Sequence, residues 1–241
     1  MDNARVKSLL PLCLLSALLA GCDKPAKPEA LTPEMASFSN IFNFDPLRGP
    51  VKAFTQRMIN QENEVEHQIG GVLSAEGCFE RLAVDDRQEN TGVALVLNAN
   101  YYLDEATGEK RIRLRGKCQL AEIVADATQF DTDERDFVVA SRNGEVARSW
   151  RYDTEGYTVG EKMRADGYTL LTVIVPNKDP RQKLNYTATS RLDNNPIGQT
   201  TQQCEYDRYY NPVSCVLTVT DSSQTPTQQQ RYQIKNTIEY Y

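Results

Sequence analysis

From Val51 onward the chain alternates. Val51, Ala53, Thr55 and Arg57 interleave with Lys52, Phe54, Gln56 and Met58, a period of two that predicts an extended strand. Further runs follow at 65–73, 78–84, 93–97 and 101–103. Ser74-Ala75-Glu76-Gly77, Asp85-Asp86 and Asp104-Glu105-Ala106-Thr107-Gly108 close the first, second and fourth as turn clusters. Ile112-Arg113-Leu114-Arg115 alternates clearly, and the run at 137–139 leads to Asn143-Gly144, the strongest hairpin dipeptide. Runs at 146–152, 169–175, 186–192, 213–220 and 231–241 complete the pattern. The stretch 119–136 is ambiguous, since Leu120-Ala121-Glu122-Ile123-Val124 suits a strand or one helical turn. No long helical stripe competes. The expectation is an all-β fold: an antiparallel meander of short strands forming one strongly curved sheet or open barrel, with a β-sandwich as the alternative.

The beginning of the chain is different. Arg5 and Lys7 precede the apolar run 9–20, which has the size of an export-signal core. It falls short of the about 20 apolar residues of a membrane-spanning helix. Leu19-Ala20-Gly21-Cys22 resembles a lipobox, the cleavage and lipidation signal of bacterial lipoproteins. The expected division is a signal peptide at 1–21, a lipidated N-terminus and Pro-rich tether at 22–44, and a single β domain at 45–241. Thr32-Pro33-Glu34 is a helix start, with Thr as cap and Pro at the first position. Ser37, Ser39 and Asn40 are expected to limit that helix to about one turn. Phe38, Phe42 and Phe44 are the first residues expected to pack onto the body.

Charge narrows the function classes. The net charge is −6, or −7 once 1–21 is removed, with no basic run. This argues against nucleic acid and against electrostatic attraction to anionic lipid. Of the six cysteines, Cys13 leaves with the leader and Cys22 takes the lipid. The remaining four suggest two disulfides in an exported domain. Cys204 and Cys215 flank a turn symmetrically and are paired on hairpin geometry, leaving Cys78 with Cys118. With no Cys-x-x-Cys and a single histidine, a zinc site is the weaker reading. No cofactor is expected.

Little in the sequence points to chemistry. His67, the only histidine, is expected on a strand's wet face, with no nucleophile motif to serve. Asp131, Asp133 and Asp136 have calcium-loop spacing, but Arg135 stands at the fifth position and the loop glycine is missing, so a solvated acidic turn is expected. Tyr152-Asp153 and Tyr206-Asp207 each stand before a turn, where the aspartate can bond the turn backbone. The doublets Tyr101-Tyr102, Tyr209-Tyr210 and Tyr240-Tyr241 suit cross-strand packing, or sugar and protein binding where exposed.

The strings 32–40, 44–52 and 234–241, among them Phe44-Asp45-Pro46-Leu47-Arg48-Gly49-Pro50, resemble the YnfC-type lipoproteins of enterobacteria along the full length. The resemblance implies lipid on Cys22 and brings no catalytic residue. Asp23 after the cysteine resembles the enterobacterial signal for retention in the inner membrane. The expectation is a non-enzymatic binding or interaction domain, held by its lipid on the periplasmic face of the inner membrane, with an envelope protein or glycan as partner and no nucleic acid. The alternatives are an envelope hydrolase using paired carboxylates and a structural assembly subunit with an uncovered edge strand.

Overall fold

The structure, a computed structural model, describes residues 28–144 and 146–241; the lipobox-like segment with Cys22 and Asp23 lies outside the described residues. One helix, α1 (Pro33–Phe42), precedes sixteen strands. They are β1 (Val51–Ile59), β2 (Val65–Leu73), β3 (Phe79–Asp86), β4 (Thr91–Asn98), β5 (Tyr101–Asp104), β6 (Lys110–Arg115), β7 (Gln119–Ile123) and β8 (Thr128–Thr132). Then come β9 (Val138–Asn143), β10 (Val146–Tyr152), β11 (Thr158–Ala165), β12 (Tyr168–Pro176), β13 (Tyr186–Leu192), β14 (Asn195–Tyr206), β15 (Pro212–Asp221) and β16 (Gln228–Tyr240).

Each strand pairs antiparallel with its successor, and β16 pairs back onto β1 from Val51↔Tyr240 to Ile59↔Gln233. The meander is the expected one. Its sheet closes into a full barrel rather than staying open, and the sandwich alternative is not realised. The ambiguous stretch 119–136 contains β7 and β8, while β11 and β14 add strands that the apolar pattern does not mark.

Pairing fixes which side chains point inward. Phe54, Gly71 and Leu82 share one row across β1 to β3, and Gln56, Ile69 and Val84 the next. Outward positions carry Arg57, Arg81, Arg113, Glu122, Asp131, Arg142, Lys235 and Glu239, with ion pairs such as Arg113–Glu122 at 2.7 Å. A membrane-spanning barrel needs an outward apolar band about 25 Å tall. The outward charges of β1, β3, β6 to β9 and β16 interrupt any such band on those strands. No described helix is long and apolar enough to cross a membrane.

A barrel of sixteen strands is too wide for wall side chains alone to fill. The segment 31–50 fills one end of it. Ser37 Oγ accepts from Val138 N of β9 at 3.0 Å. Phe38 stacks on Phe79 of β3 with ring centroids 4.6 Å apart and meets Tyr102 of β5 edge-on. Asn40 bonds Tyr152 of β10 and Thr158 of β11. Past Asn43, which turns the chain with φ 53, Asp45 bonds Gln56 of β1 and Gln202 of β14. Arg48 exchanges backbone–amide bonds with Asn211 at 2.7 and 2.8 Å. A segment touching strands from all round the ring lies inside it. The ten-residue helix therefore exceeds the single turn expected, and its residues belong to the core rather than to a tether. Ser37 and Ser39 do not break it because both are buried and hydrogen-bonded.

The two ends of the barrel differ. Leu31 N donates to Glu155 O in the β10–β11 turn at 2.9 Å, and Tyr241 N donates to Pro50 O at 3.0 Å. The first and last described segments thus meet at the plugged end. Four hairpin turns there share one construction. Residues 74–78, 133–137, 153–157 and 207–211 each close by a bond from the first N–H to the fifth carbonyl. The fourth position (Gly77, Asp136, Gly156, Tyr210) has positive φ in each. In three of them the leading Asp133, Asp153 or Asp207 accepts from the third and fifth backbone N–H groups. The Tyr-Asp units are thus turn builders.

Candidate functional site: a lumenal cavity

Where the plug stops, the lumen opens into a cavity of about 380 Å³. Its floor is the end of the plug: Ser39, Asn40, Asn43, Phe44 and Asp45. Its walls include Gln56 and Met58 of β1, His67 of β2, Asp86 of β3, Glu161 of β11, Tyr186 of β13 and Gln202 of β14. Strand alternation puts each of these wall residues on the inner face. They cluster because β1–β3 and β11–β16 form one continuous arc through the β1–β16 seam.

Three carboxylates line this cavity, and no lysine or arginine does. Asp45 lies deepest. Gln202 Nε2 is 3.1 Å from both of its oxygens, and its backbone N–H donates to Gln56 Oε1 at 2.9 Å. Gln56 in turn donates to Asn236 Oδ1 at 2.9 Å. Asp45 keeps partial contact with the open cavity, yet protein surrounds its carboxyl group. Burial pushes its pKa up to about 6, against the smaller lowering effect of Gln202. Burial also raises Glu161, with Arg148 opposing from 3.9 Å. His67 is buried rather than on the wet face. Burial lowers its pKa, and Asp86 and Asp85 pull the other way. At neutral pH the cavity offers carboxylates, a mostly neutral imidazole and amides, a set that accepts hydrogen bonds and favours positive charge. No group of three metal-ligating side chains converges among the described residues.

The other sequence candidates lie elsewhere. Cys78 and Cys118 meet at disulfide distance at the plugged end, and Cys204 meets Cys215 on the β14–β15 hairpin. Asp133 builds a turn, Asp131 pairs with Arg142 outside, and Asp136 takes positive φ. Of the doublets, Tyr102 is buried with its hydroxyl on Phe79 O, and Tyr209 packs against Tyr240 in a tilted pair with ring centroids 4.1 Å apart. Tyr241 is 57% exposed. Sequence reasoning missed Asp45, Glu161 and Gln202. Asp45 lies in Asn43-Phe44-Asp45-Pro46, a stretch without strand or helix periodicity, and β11 and β14 carry no apolar alternation.

The family described as Uncharacterised protein family (UPF0257) matches residues 6–241. The chain belongs to it. Proteins named UPF0257 lipoprotein YnfC in Salmonella typhimurium and Salmonella paratyphi B are each 50% identical over 236 residues, 98% of this chain and all of theirs. Among solved structures, a porin-like protein from Bacteroides uniformis overlaps 78% of this chain and 96% of its own at 9% identity, with a TM-score of 0.49. The curated relatives are named as lipoproteins and bring no activity with the name.

Proposed function

We propose that the protein is a non-enzymatic binding protein, anchored by lipid on Cys22 and retained by Asp23 on the periplasmic face of the inner membrane. Its ligand is a small polar molecule bearing positive charge, taken into the open half of the barrel. The observation that carries this reading is the acid-lined cavity above the plug, with Asp45, Asp86 and Glu161 facing it and no basic side chain on its lining. Asp45 is enclosed with no ion-pair partner among the described residues, which is costly for its charged form, and an amine supplies the missing charge. The name of the relatives and the Leu19–Cys22 string support the anchor. Every strand edge is paired, so the uncovered edge of an assembly subunit is absent from the described barrel.

Titration of the lipoprotein in detergent with spermidine, read by thermal shift and calorimetry, tests the binding. Saturable binding weakened at least about tenfold in Asp45→Asn and Glu161→Gln fits the loss of a charged contact. Equal, non-saturating responses in all three proteins refute it. Labelling with a palmitate analogue and fractionating Asp23→Ser test the anchor and its sorting. A hydrolase remains the second reading, because Asp45 and Glu161 line one cavity and burial raises both. Turnover of a glycan or peptide substrate, abolished in either variant, would favour it.

A further inference from the structure

One wall of this acidic protein is basic on the outside. On the outer faces of β9 to β13, cross-strand pairing sets Arg142 and Arg164 on either side of Ala147, and Lys162 beside Leu171 and then Arg191. Arg151 lies across Gly160 toward Val173; a Cβ on Gly160 would stand 2.7 Å from its guanidinium. Arg142 pairs with Asp131, while Arg151, Lys162, Arg164 and Arg191 have no ion-pair partner among the described residues. Asp166 and Asp193 sit beyond the wall, in the turns of the open end. Beside these cations runs an outward aliphatic row on β12. Leu171 is half-buried, Val173 is 37% exposed and Val175 is 61% exposed. Lys178 follows it, exposed, past the strand end.

Cations beside exposed aliphatics fit an anionic lipid surface: the charges meet phosphates while the short apolar side chains enter the headgroup boundary. The charge is spread over four strands, so no basic run betrays it in the sequence. The exit of the chain agrees with this use. Leu31 is bonded at the β10–β11 turn, at the plugged end of the same wall. Cys22 stands six positions before Pro28, a reach of about 20 Å when extended. A strand of nine residues such as β12 spans about 30 Å, so a tether that short lets the barrel lie on its side.

We infer that the β9–β13 wall docks the barrel sideways on anionic phospholipid, leaving the cavity mouth open laterally above the bilayer. The inference rests on the lipid-anchor reading and adds a second membrane contact to it. The test uses the full mature lipoprotein carrying Val175→Cys, labelled with an environment-sensitive nitrobenzoxadiazole dye. Thr218→Cys on the outer face of β15 is the control position.

Brighter, blue-shifted emission from position 175 is expected in vesicles with about one-third phosphatidylglycerol, compared with pure phosphatidylcholine. The change should vanish in Arg151→Gln/Lys162→Gln/Arg164→Gln and at about 0.5 M salt, with position 218 silent throughout. Equal emission in both lipids, or an equal response at position 218, overturns the docking. A response confined to native membranes that retain their proteins overturns it in favour of an acidic protein partner. Flotation on pure phosphatidylcholine reads the anchor separately. A chain that fails there yet floats with phosphatidylglycerol loses the anchor and keeps the docking wall.

Discussion

The side-chain amide of Gln202 lies 3.1 Å from both carboxylate oxygens of Asp45, joining the plug to the far wall through one nitrogen. Asp45 thereby ties the residues after α1 to β14, and through its backbone and Gln56 to β1.

This relationship sets a pH dependence. The folded pKa of Asp45, about 6, stands above the ordinary value of 3.8, so the native state holds this proton more tightly than the unfolded chain does. The stabilisation is complete below about pH 4 and is lost as pH rises through about 6. Asp104, Asp179 and Asp221, whose pKa values are lowered, act in the opposite sense. Comparison with Asp45→Asn isolates the effect, because asparagine keeps an acceptor for Gln202. Urea midpoints should show the wild type losing stability relative to the variant between pH 4 and 6.5. A constant difference across that range would refute the assignment.

Phe38 is the keystone of the plug, 1% exposed and packed against Phe79, Tyr102 and Phe42. Phe38→Ala should cost about 3–5 kcal/mol in urea unfolding. Helix formation by α1 depends on that packing, since ten residues are too few for a stable isolated helix. Hydrogen exchange over 33–42 should therefore accelerate even where the β-sheet signal in circular dichroism is retained.

The two cysteine pairs close loops of different length, with sequence separations of 40 and 11. Chain entropy assigns about 4 kcal/mol to the longer loop and about 3 kcal/mol to the shorter. Cys78→Ser/Cys118→Ser should lower the urea midpoint more than Cys204→Ser/Cys215→Ser. Peptide mapping without reduction should return both cross-links, and four free thiols would remove the basis of the comparison.

Gly156 holds φ +89, and a Cβ there would stand 2.9 Å from Phe137 and 3.1 Å from Leu31. Gly156→Ala should cost about 2–4 kcal/mol, combining backbone strain with overpacking. The equivalent turn position Asp136 is exposed and already bears a side chain at φ 69. Asp136→Gly should change stability by less than about 1 kcal/mol. Thermal unfolding of the pair measures the contrast between two turns of identical backbone.

Most strands were legible because one face of each meets a dry core, as with Val65–Leu73 and Thr91–Asn98. The lumen above the plug is lined largely by polar side chains, and there the signal fails. β11 turns Glu161 inward beside outward Lys162, and the middle of β14 is the polar run Gln199-Thr200-Thr201-Gln202-Gln203. Neither face of such a strand is marked by hydrophobicity. His67 stands between Glu66 and Gln68, so only its pairing with Met58 and Asp86 reveals that it points inward. The length of the helix is hidden for a related reason. Ser37 and Asn40 look like interruptions, whereas they answer Val138 N–H, Tyr152 and Thr158 on the wall. The turns were readable because Asp153 and Asp207 act within five residues of chain. Closure was not, because nothing local says that Val51 will find Tyr240.

That seam has a kinetic meaning. β1 stays a bare edge until β16 exists to cover it, so every shorter intermediate is a sheet with two sticky margins and a wedge searching for its slot. Any guardian that escorts the nascent molecule must hold on until the last strand has been delivered. A protease that clips the final hairpin would undo the ring at its single point of fastening.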